Sequence, residues 1–379
     1  MRILQVIPFY TPMLGGSVIA PYNLIKALNQ KGHNITVLTT DYNFDTEFAH
    51  SIDGVDVIPF HCKANAGMLL YSPEMGSWLK ERIDDFDLVH AQNYRTYQNI
   101  LVRKHCLRSG TPYVLQSHGS LPVDLGKKTI KVLFDLIWGR NIIRDASCLV
   151  ALTDSEKAMY TKQGAQPSRV EIIPNIVRER QTSLPHGTYR NKIGVRVDQK
   201  LVLYLGRVNR LKGLLFLLHS FQKLQNRKDV FLVIAGPDES NHRHELEEEA
   251  SKLDLKESVI FSDNVSDVAS AYQDADVLVY PSSYEVFGLV PFEALLCGTP
   301  IIVTSNTGCG EIVARERCGL VVPNNDERAM AEAIRYAIES PSEMEVFVAR
   351  GREFVKNQLN EDKIAGRFEE TYKNCINDH

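Results

Sequence analysis

The sequence lacks a long apolar run, and this absence limits where the protein is expected to work. Nowhere in its 379 residues does the sequence approach the ~18 consecutive apolar residues that a membrane-spanning helix needs. The apolar start, residues 3–8, is too short for a signal peptide and shows no cleavage site. We therefore expect a cytoplasmic protein without a membrane span.

The cysteines follow no pattern that would mark a disulfide framework or a metal site. There are seven of them, an odd number, and they form no Cys-x-x-Cys pair. His242 and His244 stand two residues apart in a predicted helix, so they do not share a face. We expect reduced thiols, as in cytosolic proteins, and neither a metal nor another cofactor.

No charge of one sign dominates the chain. Its formal net charge is −4, with 44% hydrophobic and 24% charged residues, which is ordinary for a globular protein. Nucleic acid is therefore not expected as a partner, and any anion site must be built locally. The length exceeds what one hydrophobic core usually organises, so two domains are expected.

Apolar, β-branched runs alternate with helical patterns through both halves, which predicts a doubly wound, mainly parallel α/β fold. The predicted strands of the first half are residues 3–7, 34–39, 55–60, 88–90, 113–116, 148–152 and 170–173. Those of the second half are residues 201–205, 231–235, 259–262, 276–280 and 301–304. The polar segment 174–187 is typical of a connection between domains, so the first domain is predicted to end near Val177.

Residues 279–304 place two acidic residues within a pattern of strand, helix and strand. A strand, a loop, a helix from Pro291 to Gly298 and a second strand are predicted there, with Glu285 in the loop and Glu293 in the first helical turn. Open α/β sheets bind ligands at the carboxyl ends of their strands, so both acids are expected at a binding site. The alternative is that Glu293 only complements the positive helix end and that Glu285 is a solvated loop charge.

Two further features of the second half favour an anionic ligand. Gly288 and the backbone amides of Leu289 and Val290 lie at the start of this helix, where free N–H groups suit anions or hydroxyls. Arg207 and Lys212 follow the first strand of this half, just before a helix. A forked guanidinium, a mobile ammonium and a helix dipole together predict a diphosphate site, although scattered surface cations are common.

The other candidates carry weaker signals. Gly15 and Gly16 form a turn between the first strand and the first helix, which would suit a phosphate, although tight turns need glycine anyway. His118 and Asn93 each follow a strand of the first half, although a lone histidine is more often structural. Phe261 lies near the end of a strand that could border a nucleobase.

Residues 127–144 have a helical pattern rich in apolar side chains, with a basic tilt. One interpretation is a peripheral helix that touches an anionic membrane, where a lipid-linked acceptor would be found. The other, which we adopt as the expectation, is a helix packed on the sheet. Its basic residues would then extend to water, namely Lys127, Lys128, Lys131, Arg140 and Arg144.

With these motifs, the chain resembles the retaining glycosyltransferases of family 4. Their signature of Glu, seven residues and Glu, followed by Ala, Cys-Gly and Pro, is matched by Glu285, Glu293, Ala294, Cys297-Gly298 and Pro300. Further matches are Gly15-Gly16, His118-Gly119, residues 151–153 and 173–175, Gly206-Arg207, Lys212-Gly213 and Gly236-Pro237. The resemblance covers most of the chain and implies the GT-B fold, two Rossmann-like doubly wound domains facing across a cleft.

The resemblance also implies an activity and a division of labour. It implies a retaining, metal-independent hexosyltransferase that moves a sugar from a UDP- or GDP-linked donor to a glycan, lipid-linked or small-molecule hydroxyl. Residues 1–177, with a final helix at about 360–379, would bind the acceptor, and residues 178–359 the donor. Arg207 and Lys212 would hold the diphosphate, Glu293 the ribose, Glu285 the transferred sugar, Gly16 a phosphate, and His118 the sugar or a phosphate.

The chain departs from the family pattern at two places. Ile176, Val177 and Arg178 stand where Gly and Asp usually follow Pro-Asn, and Phe261-Ser-Asp263 stands where Phe-x-Gly is expected. These departures concern the hinge and the nucleobase rather than the diphosphate. The alternatives are a nucleotide-sugar epimerase and a catalytically silent binding subunit on the same fold. A nicotinamide-dependent oxidoreductase is less consistent, because no glycine fingerprint with a downstream acid follows the first strand.

Overall fold

The computed structural model describes residues 1–124, 126, 128–224, 227–263 and 265–378, so that Lys127 and His379 lie outside the described residues. The chain divides into two compact units. The first comprises Met1–Ile176 with Glu361–His379, and the second comprises Val177–Asn360. The boundary expected near Val177 therefore lies beside the division that the structure shows.

The first unit is built on a parallel sheet of seven strands. Among its described residues the first unit has nine strands, seven of which form this sheet. They are β1 (Arg2–Val6), β2 (Asn34–Thr40), β3 (Asp56–Phe60), β4 (Ala64–Ala66), β5 (Leu69–Tyr71), β6 (Leu88–Gln92), β7 (Tyr113–Gln116), β8 (Cys148–Ala151) and β9 (Val170–Ile172). The sheet order is β3-β2-β1-β6-β7-β8-β9, and each neighbouring pair is parallel. Strands β4 and β5 form a separate antiparallel hairpin, which the sequence analysis did not predict.

Helices connect these strands and cover the sheet. They are α1 (Gly16–Gln30), α2 (Thr46–Ala49), α3 (Pro73–Arg82), α4 (Tyr97–Ser109), α5 (Lys128–Phe134), α6 (Arg140–Asp145) and α7 (Asp154–Lys162). Local signals fix their ends: the Thr96 side chain accepts a hydrogen bond from the Asn99 amide at the start of α4, and Gly110, with φ of 80°, ends it. A π-helical turn, Asp135–Gly139, joins α5 to α6.

The second unit repeats the architecture with six parallel strands. They are β10 (Lys200–Leu205), β11 (Val230–Ala235), β12 (Val259–Ser262), β13 (Val277–Tyr280), β14 (Ile301–Thr304) and β15 (Leu320–Val322), in the sheet order β12-β11-β10-β13-β14-β15. The helices are α8 (Thr188–Ile193), α9 (Leu214–Gln222), α10 (His242–Lys252), α11 (Val268–Asp274), α12 (Leu289–Cys297), α13 (Gly308–Glu316), α14 (Glu327–Glu339) and α15 (Pro341–Gln358). The predicted doubly wound α/β class is confirmed, whereas β15 had not been predicted.

The last helix, α16 (Glu361–Asn377), belongs to the first unit. One face of α16 is buried in the first unit's core, together with Ile3, Leu28 and Ile35. The buried side chains of that face include Ile364, Phe368 and Tyr372. At about 25 cal/mol per Å² of apolar surface, their burial is a substantial part of what stabilises the unit.

The start of α12 corrects one detail of the sequence analysis. The helix begins at Leu289, with Gly288 preceding it, so Pro291 is its third residue rather than its first. Glu293 consequently lies beyond the first turn, which holds no acidic residue. Because the helix dipole acts mainly within the first turn, complementing the positive helix end does not account for Glu293. Gly298, with φ of 94°, ends the helix as predicted.

Candidate functional site

The carboxyl end of β10 carries the predicted diphosphate residues. A short 3-10 turn, Arg210–Lys212, follows, and the Asn209 side chain accepts a hydrogen bond of 3.0 Å from the Leu211 amide at its start. Gly213 then adopts φ of 66°, and a Cβ atom there would lie 2.1 Å from the Pro281 carbonyl oxygen. Only glycine allows this approach, which brings Lys212 beside the loop that follows β13.

Lys212, Tyr280 and Glu285 form a closed set of contacts. The Lys212 Nζ lies 2.5 Å from Oε2 of Glu285 and donates to the Tyr280 hydroxyl at 3.1 Å. The Tyr280 hydroxyl donates to the same Oε2 at 2.8 Å. The fold thus brings together Lys212, which was predicted to hold the diphosphate, and Glu285, which was predicted to hold the transferred sugar.

The electrostatics of this set are those of a buried ion pair. Burial acts to lower the pKa of Lys212, but the Glu285 carboxylate outweighs it, so the pKa is raised. Burial likewise acts to raise the pKa of Glu285, but the Lys212 ammonium and hydrogen bonds from Lys212 and Tyr280 outweigh it, so the pKa is lowered. Both groups are therefore charged at neutral pH.

Arg207 lies close enough for its charge to act on both members of this pair. Its Nη1 lies 3.1 Å from Oε2 of Glu239, which also accepts from Asn209 Nδ2 at 2.7 Å. The Arg207 side chain is 40% exposed. A surface ion pair of this kind is worth little, ~0–1 kcal/mol, so an anionic ligand can displace Glu239 at small cost.

Glu293 has its own cation. Its Oε1 lies 2.9 Å from Nη2 of Arg180, and its Oε2 accepts from the Tyr272 hydroxyl at 3.1 Å. The Glu293 side chain is only 9% exposed, whereas that of Arg180 is 46% exposed. Burial acts to lower the pKa of Arg180, but the Glu293 carboxylate outweighs it and raises the pKa. Arg180, in the polar connecting segment, was not singled out from the sequence.

The remaining candidates of the second unit lie around the same sheet edge. Gly288 adopts φ of 78°, and a Cβ there would lie 3.2 Å from both Cys309 Sγ and Glu285 Cγ, so a side chain would disturb Glu285. The amides of Leu289 and Val290 belong to the first turn of α12, where helix geometry provides no intrahelical acceptor. Phe261 lies on the edge strand β12, with the Arg243 guanidinium 5.8 Å from its ring.

In the first unit, the predicted glycine turn follows β1. Gly15, with φ of 66°, precedes α1, which begins at Gly16, so Gly16 belongs to the helix rather than to the predicted turn. Gly16 is exposed, and a Cβ built on it would meet nothing within 4 Å. The backbone there is open to a ligand.

His118 and Asn93 both adopt positive φ, 48° and 64°. Asn93 directly follows β6, and His118 is the second residue after the neighbouring strand β7. Such angles are uncommon for residues other than glycine and are enriched at functional sites. The His118 Nε2 lies 2.6 Å from Oε1 of Gln92, and burial lowers its pKa to about 3, so the ring is neutral. Asn93 is buried and its Nδ2 has no hydrogen-bond partner among the described residues.

Glu156, which the sequence analysis did not single out, accepts hydrogen bonds from the two residues that flank His118. Its fully buried carboxylate accepts from Ser117 Oγ at 2.5 Å, from the Gly119 amide at 2.9 Å and from the Leu152 amide at 2.8 Å. Burial raises its pKa, although these donors act in the opposite direction. The sequence signal was the pattern Thr153-x-x-Glu156, typical of a helix start, with the Thr153 hydroxyl accepting from the Glu156 amide.

The segment from α5 to α6 packs against the core of the first unit, as expected, but its other face remains exposed. Its inner face is buried through Phe134, Asp135, Gly139, Ile142 and Ile143. The apolar side chains of its outer face are exposed, with Leu136 at 65%. They are Ile130, Val132, Leu133, Leu136, Ile137 and Trp138. We call these six residues the outer apolar face; the described cations beside it are Lys128, Lys131, Arg140 and Arg144.

Two features are absent from the described residues. In the part of the chain that the structure describes, no group of three or more His, Cys, Asp or Glu side chains is placed to hold a metal ion. Across those same described residues, no helix has the length and apolar content that crossing a bilayer requires.

The fold and these sites define a class of protein, and comparison with known families identifies it. A model described as Glycosyl transferases group 1 matches residues 186–354, and one described as Glycosyltransferase Family 4 matches residues 14–181. The chain belongs to the family 4, GT-B type glycosyltransferases, which confirms the resemblance drawn from its motifs.

Similar individual proteins agree with this assignment. An uncharacterized glycosyltransferase of Methanocaldococcus jannaschii is 27% identical over 98% of each chain. A D-inositol 3-phosphate glycosyltransferase of Kineococcus radiotolerans is 30% identical, over 57% of this chain and 54% of its own. The crystal structure of Anabaena HepE in complex with UDP-glucose superposes with a TM-score of 0.82 at 18% identity, covering 99% of this chain and 100% of that one, and so supports the fold.

Proposed function

We propose that this protein is a retaining, metal-independent hexosyltransferase that uses a nucleotide-diphosphate sugar. The observation that carries the proposal is the contact of Lys212 with Glu285 and Tyr280, close to Arg207 and at the carboxyl end of β10. Fixed positive charge at this position suits a pyrophosphate leaving group. Preorganised charge of this kind is usually the largest single contribution to catalysis.

The proposed reaction breaks the bond between the anomeric carbon and the donor phosphate. Negative charge then grows on the leaving diphosphate, where Arg207 and Lys212 stabilise it, while positive charge grows on the sugar. Glu285 binds hydroxyls of the transferred sugar, and Glu293 binds the ribose. The acceptor hydroxyl attacks from the leaving-group face and passes its proton to an oxygen of the departing diphosphate, so the anomeric configuration is retained.

The ion pairs in the structure suit this chemistry. Two cations of the site have carboxylate partners: Lys212 has Glu285, and Arg207 has Glu239. A bound diphosphate offers the same cations a second anion. Lys212 is itself buried, is held by the partly buried Glu285 and keeps its position, whereas Arg207 is half-exposed and can turn toward the ligand. The arrangement resembles the preorganised clamp that phosphate recognition needs.

The donor is proposed to be a UDP-sugar, with a GDP-sugar as the alternative. The structures of Anabaena HepE with UDP and with UDP-glucose support UDP by likeness of fold. Phe261, on the edge strand β12, is proposed to border the nucleobase.

A screen of UDP-, GDP- and other nucleotide sugars by thermal shift tests the donor, because a ligand that binds only the folded state raises the Tm. A hit is followed by product analysis, which separates transfer from epimerisation. The proposal predicts a Tm rise with one nucleotide and a glycoside of retained configuration as product. No binding by any nucleotide sugar would overturn it.

The acceptor is proposed to be lipid-linked and reached at an anionic membrane surface. The outer apolar face is exposed and is flanked by the cations Lys128, Arg140 and Arg144, a composition suited to the headgroup region of anionic phospholipids. Lys127, which was part of the predicted segment, lies outside the described residues. The protein would then be cytoplasmic with peripheral contact to the inner membrane face.

Sedimentation with lipid vesicles tests this surface. Vesicles containing phosphatidylglycerol should bind the wild-type protein, and pure phosphatidylcholine vesicles should bind it less. The double substitution Leu136→Glu and Ile137→Glu should abolish binding. Leu107, 54% exposed on α4, provides the control Leu107→Glu, which should bind like the wild type. Equal sedimentation of all variants, or none with either vesicle, would contradict a membrane role for the face.

A further inference from the structure

A chain of hydrogen-bonded side chains runs from His118 to the last helix of the first unit. The His118 Nε2 lies 2.6 Å from the side-chain Oε1 of Gln92. The side-chain Nε2 of Gln92 lies 2.8 Å from Oε1 of Gln5. The side-chain Nε2 of Gln5 lies 3.4 Å from Nδ1 of His90. The Tyr372 hydroxyl lies 2.7 Å from the same His90 nitrogen. No motif had singled out Gln5, Gln92 or Tyr372.

This chain can run in two directions. The oxygen and nitrogen of an amide have similar shapes, so turning both glutamine amides by 180° keeps every distance and exchanges donors with acceptors. In one direction, His118 donates from Nε2 to Gln92, and its Nδ1 is a bare acceptor. In the other direction, Gln92 donates to Nε2, and His118 carries its proton on Nδ1. The direction decides what His118 can offer a ligand.

The buried end of the chain distinguishes the two directions. The His90 Nε2 is buried and has no hydrogen-bond partner among the described residues. If Gln5 and Tyr372 both donate to Nδ1, the His90 proton must sit on Nε2 as a buried, unpaired N–H, and such groups are rare. If the proton sits on Nδ1 instead, His90 donates to the Tyr372 oxygen and only a lone pair is left unmatched.

Both rings are neutral, so the tautomer is the variable that remains. Burial, with a contribution from the His118 charge, lowers the pKa of His90 to about 3, and burial lowers that of His118 to about 3. With the His90 proton on Nδ1, His90 donates to the Tyr372 oxygen, and the Tyr372 hydroxyl donates to the Gln5 side chain, with which it also forms a hydrogen bond. The Gln5 amide then donates to Gln92, and the Gln92 amide donates to His118. The last donor is the Gln92 amide, which donates a hydrogen bond to the lone pair of His118 Nε2.

We propose that Gln92 is a positioning residue that, through Gln5 and His90, holds His118 in the tautomer with its proton on Nδ1. His118 then donates a hydrogen bond from Nδ1 to an oxygen of bound substrate. The positive φ of His118 and the hydrogen bonds from Ser117 and Gly119 to Glu156 hold the ring in place for this contact. The substrate contact rests on the proposed function, whereas the tautomer itself does not.

Nitrogen NMR on the full chain labelled with ¹⁵N-histidine tests the tautomer directly, because protonated and bare ring nitrogens have well separated shifts. The chain has 11 histidines, and the spectrum of His118→Asn assigns the signal. The proposal expects a protonated Nδ1 and a bare Nε2 at His118 in the wild type. A protonated Nε2 at His118 would overturn it.

Variants show whether the chain sets the tautomer. Gln92→Leu and the more distant Gln5→Leu should each shift His118 toward a mixture of tautomers and lower kcat/KM by ~10- to 100-fold, the range for lost orienting partners. Gln98 provides the control, since it is another buried glutamine, bonded to the Leu70 carbonyl at 2.8 Å; Gln98→Leu should leave the tautomer unchanged. An unchanged tautomer in Gln92→Leu would contradict the proposal.

Titration of the labelled protein separates the possible substrate oxygens. A change at His118 Nδ1 with UDP alone indicates a phosphate oxygen, and a change only with the UDP-sugar indicates a sugar hydroxyl. No change with a nucleotide sugar that raises the Tm would overturn the substrate contact. If no nucleotide sugar raises the Tm, the proposed function fails while the tautomer result stands.

Discussion

The Nζ of Lys212 and Oε2 of Glu285 lie 2.5 Å apart, although 73 positions separate the two residues in the chain. Lys212→Met would leave a partly buried carboxylate without its cation, and Glu285→Gln would leave a buried ammonium. Each change should lower the unfolding free energy of the second unit by ~3 kcal/mol, and the double variant should lose much less than the sum. Urea unfolding of the four proteins measures this coupling, and strictly additive losses would contradict it.

Arg207 should matter for binding rather than for stability. Its ion pair with Glu239 is at the surface, so Arg207→Ala should change the Tm little but weaken UDP binding by ~10-fold or more, as expected for a lost charge-assisted contact. Calorimetric titration with UDP measures this. Arg210 lies in the adjacent turn, is 76% exposed and pairs with Glu245, so Arg210→Ala is a matched control. Equal losses in both variants would indicate a general charge effect.

Glu156 should act through His118. Glu156→Gln removes the carboxylate that accepts from Ser117 and the Gly119 amide. It should lower kcat by ~10-fold, less than the ~100-fold or more that a directly acting catalytic group contributes, because Glu156 acts only through His118. In a His118→Ala background the same change should have almost no further effect, because the residue that it positions is already gone. The exposed Asp154→Asn in the same helix serves as control. Independent, multiplying effects would show that Glu156 acts elsewhere.

Acid should destabilise the first unit through His90. Burial, with the His118 charge, lowers its folded pKa to about 3 from an ordinary 6.5. Between these values the unfolded state binds more protons, so the unfolding free energy falls as the pH falls, by up to ~1.4 kcal/mol per pH unit for this group. His90→Asn should flatten the dependence of Tm on pH between 6.5 and 4. An unchanged slope would mean that His90 does not titrate in this way.

Activity should not depend on a divalent metal. Two cations, Arg207 and Lys212, are proposed to do the electrostatic work at the diphosphate, so turnover in EDTA should match turnover in buffer. Rates measured with EDTA, and then with added Mg²⁺ and Mn²⁺, test this. Loss of activity that either metal restores would require a metal site in the mechanism.

The fold was predictable because its signals are local. Strands such as Tyr113–Gln116 and Val259–Ser262 were bounded correctly, since β-branched and apolar runs are separated by turn residues. The hairpin of β4 and β5 was missed because its two strands are only three residues each and carry no such pattern. Short antiparallel pairs are stabilised by their surroundings rather than by their own sequence.

The site was predictable only in part. Sequence position placed Lys212 and Glu285 at one sheet edge, but their pairing is a tertiary contact that no local pattern contains. Glu156 showed a helix-start pattern, yet its carboxylate reaches a different loop, at Ser117 and Gly119. Three residues of the outer apolar face, Leu136, Ile137 and Trp138, lie in the π-helical turn Asp135–Gly139, which no local sequence pattern predicts.

The return of the final helix α16 to the first unit affects how the chain is made. About 185 further residues follow Ile176 before Glu361 emerges, ~10–40 s of synthesis at ordinary rates. Throughout that interval the nascent amino-terminal half exposes the apolar surface against which Phe368 and Tyr372 later pack. Ribosome-associated chaperones would therefore bind the chain mainly during this interval. A truncation that removes α16 would expose apolar surface on the first unit and make that unit, rather than the second, prone to aggregate.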